Sequence, residues 1–209
     1  IMAVSGLALY GFVIMHMLGN LQIFAGPEKL NAYGKFLQDL GGLLWLARVG
    51  LIAAAGAHIF VAVKITLENQ AARPIPYYSQ HTNVASYASR TMKYSGLIVF
   101  AFLVYHLLHF TLGVTDPSAH ALKDSMGRHD IYAMVISGFS NPFVSGSYIF
   151  AMGLLCLHLS HGFFSLFQSL GINQPEYDAK LKLAANIFAL GIFLGNSSMP
   201  VAVLLKIVA

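Results

Sequence analysis

Residues 153–171 read GLLCLHLSHGFFSLFQSLG, an apolar run long enough to cross a bilayer that nevertheless carries histidines at 158 and 161. An imidazole in hydrocarbon is costly and calls for a partner. Three other apolar runs each hold a histidine near mid-depth, at His16, His58 and His106, and no second polar residue type recurs in this way. One inward histidine on each of four helices suggests axial ligands to haem iron.

Composition decides the solvent. Of 209 residues, 57% are hydrophobic and 10% charged, and the mean hydropathy is +0.67, well outside the balance of a soluble domain. Apolar runs of about 20 residues are expected to cross the bilayer as helices, because lipid leaves no other way to satisfy the backbone. Five such spans are read near 1–24, 42–68, 94–114, 146–171 and 182–208. The expected fold is an all-α integral membrane bundle of five transmembrane helices, a single domain over 1–209. Pro200 is expected to kink the fifth span, with Asn196, Ser197 and Ser198 at hand for the carbonyl it frees. Ile1 opens directly in an apolar run, so an N-terminal segment is expected upstream and no cleavable leader is read. The lone Cys156 reads as a small buried hydrophobe. A net charge of +4 gives no case for nucleic acid.

Lysine and arginine fail to orient the chain. Lys64, Arg73, Arg90, Lys93, Lys180 and Lys182 fall on one side and Lys29, Lys35, Arg48, Lys123, Arg128 and Lys206 on the other, six against six. The reading leans towards 69–93 as the cytoplasmic side.

Depth says more than charge. Counting helical rise, His16 and His106 lie about two-thirds of the way outward on spans that run outward, while His58 and His158 lie near or past the middle of inward-running spans. Two stacked haems follow, one held by His16 and His106 and the other by His58 and His158. Each iron would be six-coordinate, a state suited to electron transfer. A single histidine in a span is more often polar glue between helices, but four on four helices, paired by depth, reverse that preference. A haem-free histidine-bearing transporter is the competing class; it would call for embedded carboxylates, and the span interiors carry none. His109 and His161 each follow a proposed ligand by three residues, on a similar face. They read as alternative ligands, propionate partners or core residues, with the partner role preferred.

Ile14-Met15-His16-Met17-Leu18-Gly19-Asn20, the stretch Gly26 to Gln38, Ala57-His58 with Lys64, Tyr105-His106, and Leu157-His158-Leu159-Ser160-His161-Gly162-Phe163 together resemble the cytochrome b membrane-anchor subunit of succinate dehydrogenases and fumarate reductases, in its single-chain, five-helix, di-haem bacterial type. The resemblance covers nearly the whole chain. It implies two haem b groups with the same ligand pairing, a flavoprotein subunit and an iron–sulfur subunit docked at the cytoplasmic face, and electron transfer from succinate to a quinone, usually menaquinone, in the bacterial cytoplasmic membrane. Succinate chemistry would belong to the flavoprotein, so this chain is expected to supply no catalytic acid, base or nucleophile. Higher oligomers of the complex are left open.

Two departures bear on direction. The fumarate reductase branch carries a glutamate where Gln38 aligns and another where Cys156 stands, two residues before the fourth ligand. Losing both carboxylates favours succinate oxidation with quinone reduction over the reverse. Haem propionates need cations and hydroxyls at the membrane edge; Lys64, six residues after His58, qualifies, as do Arg90, Lys93, Ser86 and Thr91, and Ser86 and Arg90 would share a helix face. Positive-inside charge and headgroup contact are the plainer reading of these residues. A quinone needs a donor to its carbonyl beside an apolar slot. Asn20, Gln22, Tyr33 and Gln38 are candidates on the outer side, and Ser86, Arg90 and Tyr94 on the inner; the sequence does not choose between the faces.

Overall fold

The computed structural model describes residues 1–72, 87–172 and 174–209. Its elements are α1 (Met2–Asn20), extended by a 3-10 turn over Leu21–Ala25, then α2 (Pro27–Asp39), α3 (Gly42–Ala71), α4 (Tyr87–His106), a π-helical turn over Leu107–Thr111, α5 (Pro117–His120), α6 (Ile131–Phe139), α7 (Pro142–Ser169) and α8 (Asp178–Leu204), the last led in by a 3-10 turn at Pro175–Tyr177. Among the described residues there is no strand, only an isolated bridge between Lys123 and His129. Five helices are long and apolar enough to cross a membrane: Met2–Ala25, Gly42–Ala71, Tyr87–Thr111, Pro142–Ser169 and Pro175–Leu204.

Those five match the expected spans, with ends that differ by several residues. The helix expected from 94 is already helical at Tyr87, so Arg90 and Lys93 lie within it. The helix expected from 146 begins at Pro142, where the Asn141 side chain accepts from Phe143 N at 2.9 Å and proline takes a position that needs no N–H. The last helix stops at Leu204 instead of 208. Pro200 stays inside α8, and none of the three polar side chains before it takes the Asn196 carbonyl that the proline leaves. Asn196 donates to Ile192 O at 2.9 Å, Ser198 donates to Gly195 O at 2.7 Å, and Ser197 Oγ is buried with no partner.

The connections at one end, read from sequence as loops, hold α2, α5 and α6. Leu30 and Gly34 on α2 are buried at a spacing of four, the signature of an amphipathic helix lying on the bundle. Asp116 and Asp130 cap α5 and α6, accepting from Ala119 N and Ala133 N, each at 3.0 Å. Asn31, 2% exposed, donates to Asp130 Oδ1 at 3.0 Å and accepts from Tyr132 N at 3.0 Å. Arg128 clamps the same region, forking onto Glu28 at 3.0 and 2.7 Å and reaching Asp124 Oδ2 through Nε at 2.6 Å. The hydrogen bonds from Arg128 hold the exposed Glu28 carboxyl below its ordinary range, and those bonds in turn raise the guanidinium further above its own. Because Asn31→Ala strands a buried backbone N–H and one bond of Asp130, it is expected to cost about 1–3 kcal/mol. Faster protease cleavage within 121–130 would report it.

The tightest packing lies between α7 and α8, with α4 against α7 and α1 against α3 next. Ala185, Ala189 and Ala202 are among the buried residues of α8, small side chains that let helices approach without bulk. One apolar cluster gathers Ile23, Leu30, Phe139, Tyr148, Met199 and Val203 beneath the α2–α6 cap. A second joins Tyr10, Leu159, Ala189 and Ile192 further along the bundle. By contrast, α3 has no buried residue and rests chiefly on α1.

Candidate functional site

Four histidines stand in two facing pairs. His16 on α1 and His106 on α4 have ring centroids 5.7 Å apart and planes at 84°; His58 on α3 and His158 on α7 are 6.3 Å apart at 59°. Neither α1 with α4 nor α3 with α7 is among the helix pairs in extensive backbone contact. The imidazoles therefore meet across spaces that the main chains leave open, each ring half-buried.

The two pairs lie at different levels. Gly6 and Gly96 each precede a paired histidine of the same helix by ten residues, about 15 Å of helical rise. Both glycines face the other pair. A Cβ added at Gly6 would lie 3.4 Å from His58 Cε1, and one at Gly96 would lie 3.5 Å from His158 Cε1. Thus α1 and α4 each offer a histidine at one level and a bare backbone at the next.

Iron between two imidazoles sets a distance that can be compared. With metal–nitrogen bonds of about 2.1 Å and about 1.1 Å from nitrogen to ring centre, opposed rings stand with centroids about 6.3–6.4 Å apart. The His58–His158 pair matches this spacing and the His16–His106 pair is slightly tighter. Haem supplies four in-plane nitrogens, so two imidazoles complete its iron. No group of three or more His, Cys, Asp or Glu side chains suited to a bare metal ion occurs among the described residues.

Hydrogen bonding at the other ring nitrogen decides whether Nε2 keeps a lone pair for a metal. His58 Nδ1 lies 3.4 Å from Ser5 Oγ, and that hydroxyl has backbone acceptors in Ile1 O and Met2 O at 3.0 and 3.1 Å. With its proton given to a carbonyl, Ser5 can accept from His58 Nδ1–H, the tautomer that leaves Nε2 free. His106 Nδ1 is likewise 3.4 Å from the Tyr148 hydroxyl. His158 Nδ1 is buried without a partner, the sort of atom that marks a polar group awaiting one. His16 departs from the pattern: its Nε2 is engaged by the Asn20 amide at 3.1 Å, so ligation through that nitrogen requires Asn20 to swing aside. The His58–His158 level fits a haem iron by the spacing of its rings, and the His16–His106 level fits once Asn20 releases His16 Nε2.

The remaining sequence candidates divide. His109 is buried and bonds Tyr148 Oη through Nδ1 at 3.0 Å, and His161 Nε2 bonds Ser165 Oγ at 3.1 Å. Both are partners within the helices rather than members of a facing pair. Tyr33 lies over Gly19, where a Cβ would meet its ring at 2.6 Å, which brings it to the same turn of α1 as Asn20. Asn20 lies beside His16 and Tyr33 over the neighbouring Gly19, while Gln38 is exposed near the end of α2. Lys64 is exposed and pairs with Glu68 at 3.7 Å. Arg90 is exposed near the start of α4, and Ser86 lies outside the described residues.

Sequence reading passed over Ser5, Gly6, Gly96 and Tyr148. The glycine-to-histidine interval of ten, present twice, was the available signal; nothing local distinguishes Ser5 or Tyr148 from other polar residues of apolar helices. It also passed over His120 and His129, whose rings lie 4.8 Å apart and tilted by 52° in the cap, where burial holds the His129 imidazole below its ordinary range and His120 adds to it. No protein-family model, curated protein or solved structure matches this chain.

Proposed function

We propose that the chain is a multi-pass membrane cytochrome b that carries electrons through two haem b groups. More particularly, we propose the membrane-anchor subunit of a succinate:quinone oxidoreductase of the bacterial cytoplasmic membrane, bound to a flavoprotein subunit and an iron–sulfur subunit and delivering electrons to menaquinone or another quinone. The observation that carries the reading is the pair of neighbouring histidines at each of two levels, drawn one apiece from the first four apolar helices, with His58 and His158 at the spacing of two imidazoles on iron. The family resemblance of the flanking motifs supports the narrower statement.

In this reading His16 with His106 holds one iron and His58 with His158 the other. Bound there, haem supplies one-electron transfer with no open coordination site for oxygen or substrate. The protein's part is to hold and insulate. Ser5 and Tyr148 keep His58 and His106 in the tautomer that presents Nε2. Gly6 and Gly96 leave room beside the inner pair. Asn20 and Tyr33 are the quinone-binding candidates that cluster near a histidine pair; Gln38 and Arg90 are exposed and serve better as surface contacts. Arg90, Lys64 and Ser86 stand as propionate candidates on the side of the 69–93 connection. With glutamine at 38 and cysteine at 156, neither position offers a carboxylate to take a proton from quinol, which favours succinate oxidation over fumarate reduction.

Affinity purification from native membranes tests the proposal. Flavin and iron–sulfur subunits are expected to co-elute, and succinate is expected to reduce the haems of that complex, while the isolated chain has no succinate dehydrogenase activity. A stable protein recovered without such partners, or one whose haem ignores succinate, counts against it.

A further inference from the structure

The two hydroxyls that meet ligand histidines are unlike each other. Ser5 has backbone carbonyls for its proton. Tyr148 is 6% exposed and has two ring nitrogens within reach, His109 Nδ1 at 3.0 Å and His106 Nδ1 at 3.4 Å. A phenol has one proton to give and lone pairs with which to accept, so it can donate to one histidine while accepting from the other.

His106 as a ligand fixes the direction of its own contact. If Tyr148 donated to His106 Nδ1, that imidazole in its neutral form would carry its own proton on Nε2 and have no lone pair for iron. Tyr148 therefore accepts from His106 Nδ1–H, which leaves its own proton for His109 Nδ1, the shorter contact. The chain of bonds then runs one way, from His106 to Tyr148 to His109.

Local structure builds this chain. Immediately after His106 the helix opens into a π turn over Leu107–Thr111, closed by Leu112 N to Leu107 O at 2.8 Å, a feature often found where a helix serves a function. His109 sits within that turn, stacked on Phe110 at 4.0 Å and on Tyr105 at 5.5 Å. Gly138 makes the space, since a Cβ there would stand 3.0 Å from His109 Cε1 and Nε2. Phe102, Phe110 and Phe139 pack edge-on around the Tyr148 ring at 4.9, 5.6 and 5.0 Å, which holds the hydroxyl between the two imidazoles.

We infer that Tyr148 and His109 are positioning residues for His106, fixing its Nδ1–H tautomer and lowering the reduction potential of the haem that His106 and His16 hold. This rests on the di-haem reading above. An acceptor on Nδ1–H gives a ligand imidazole more anionic character, which favours the ferric iron. Donation from Tyr148 to His109 fixes the phenol as that acceptor.

The test uses the whole complex. Redox titration of the wild type, Tyr148→Phe, His109→Leu and His109→Gln resolves the two haems as separate components, with haem per polypeptide measured alongside. Tyr148→Phe is expected to keep both haems and to raise the potential of the His16–His106 haem by up to about tenfold in its reduction equilibrium, about 59 mV for one electron, leaving the other haem unmoved. His109→Leu should shift the same component in the same direction, because the phenol loses the group that receives its proton. His109→Gln offers a carbonyl acceptor and should return the potential towards wild type. An unchanged potential in Tyr148→Phe with both haems bound overturns the inference, as does an equal shift of both components. If Tyr148→Phe fails to assemble, the His109 pair decides: identical potentials in the leucine and glutamine variants overturn it. Loss of haem from His109→Leu with retention in His106→Ala makes His109 the ligand and overturns it too. A wild-type complex without haem removes the di-haem reading itself, a result distinct from all of these.

Discussion

Alanine at His58 or His158 is expected to remove one haem of two from each polypeptide and to spare the other, and alanine at His16 or His106 to remove the other one. The expectation follows from the two levels: each pair closes its own space, and α1 and α4 present glycine rather than a ligand at the level of His58 and His158. An imidazole–iron bond has no substitute nearby, since the second histidines are taken, His109 by Tyr148 and His161 by Ser165. Pyridine haemochrome assay of the four variants reads the count directly. If one substitution removes both haems while the fold persists, or if none removes any, the two-level arrangement fails.

The second large effect needs no change of ligand. Gly96→Leu places a branched side chain where a single Cβ already lies 3.5 Å from His158 Cε1 and 3.8 Å from its Nδ1. Crowding of this kind usually costs 1–3 kcal/mol or more when neighbours cannot yield. Here the loss is expected to fall on the His58–His158 haem, with the His16–His106 haem retained in near wild-type amount. Gly6→Leu should act in the same direction through His58. By comparison, Gly11→Leu has open space within 4 Å and serves as the control that keeps both haems. Equal loss in Gly11→Leu and Gly96→Leu would mean that general helix crowding, not room beside the histidine, decides occupancy.

Much of this was legible in the chain because hydropathy and histidine placement act over whole helices. A run such as 153–171 has to be helical once its backbone must satisfy itself, and the depth of a histidine along it follows from rise alone. Hence the pairing of His16 with His106 and of His58 with His158 could be read without coordinates. Helix ends could not. Asn141 and Pro142 start α7 through a side-chain cap and a missing N–H, neither of which enters a hydropathy average. The cap of α2, α5 and α6 was also hidden, because its burial depends on partners distant in sequence: Asn31 with Asp130, and Arg128 with Glu28. For the same reason Tyr148 was silent. Its importance comes from lying between two histidines about forty residues before it, and no spacing along α7 announces that. Gln38, a position chosen by family resemblance, is exposed near the end of α2.

On the proposed reading this chain holds two haems, one at each histidine pair. The most direct test of that reading is the dithionite-reduced minus oxidised spectrum of the purified wild-type protein, with haem and polypeptide quantified in the same sample. Two b-type haems per chain, with the sharp alpha band of a bis-histidine iron, are the expected result; a pure, folded protein from haem-replete cells with no such band would contradict it.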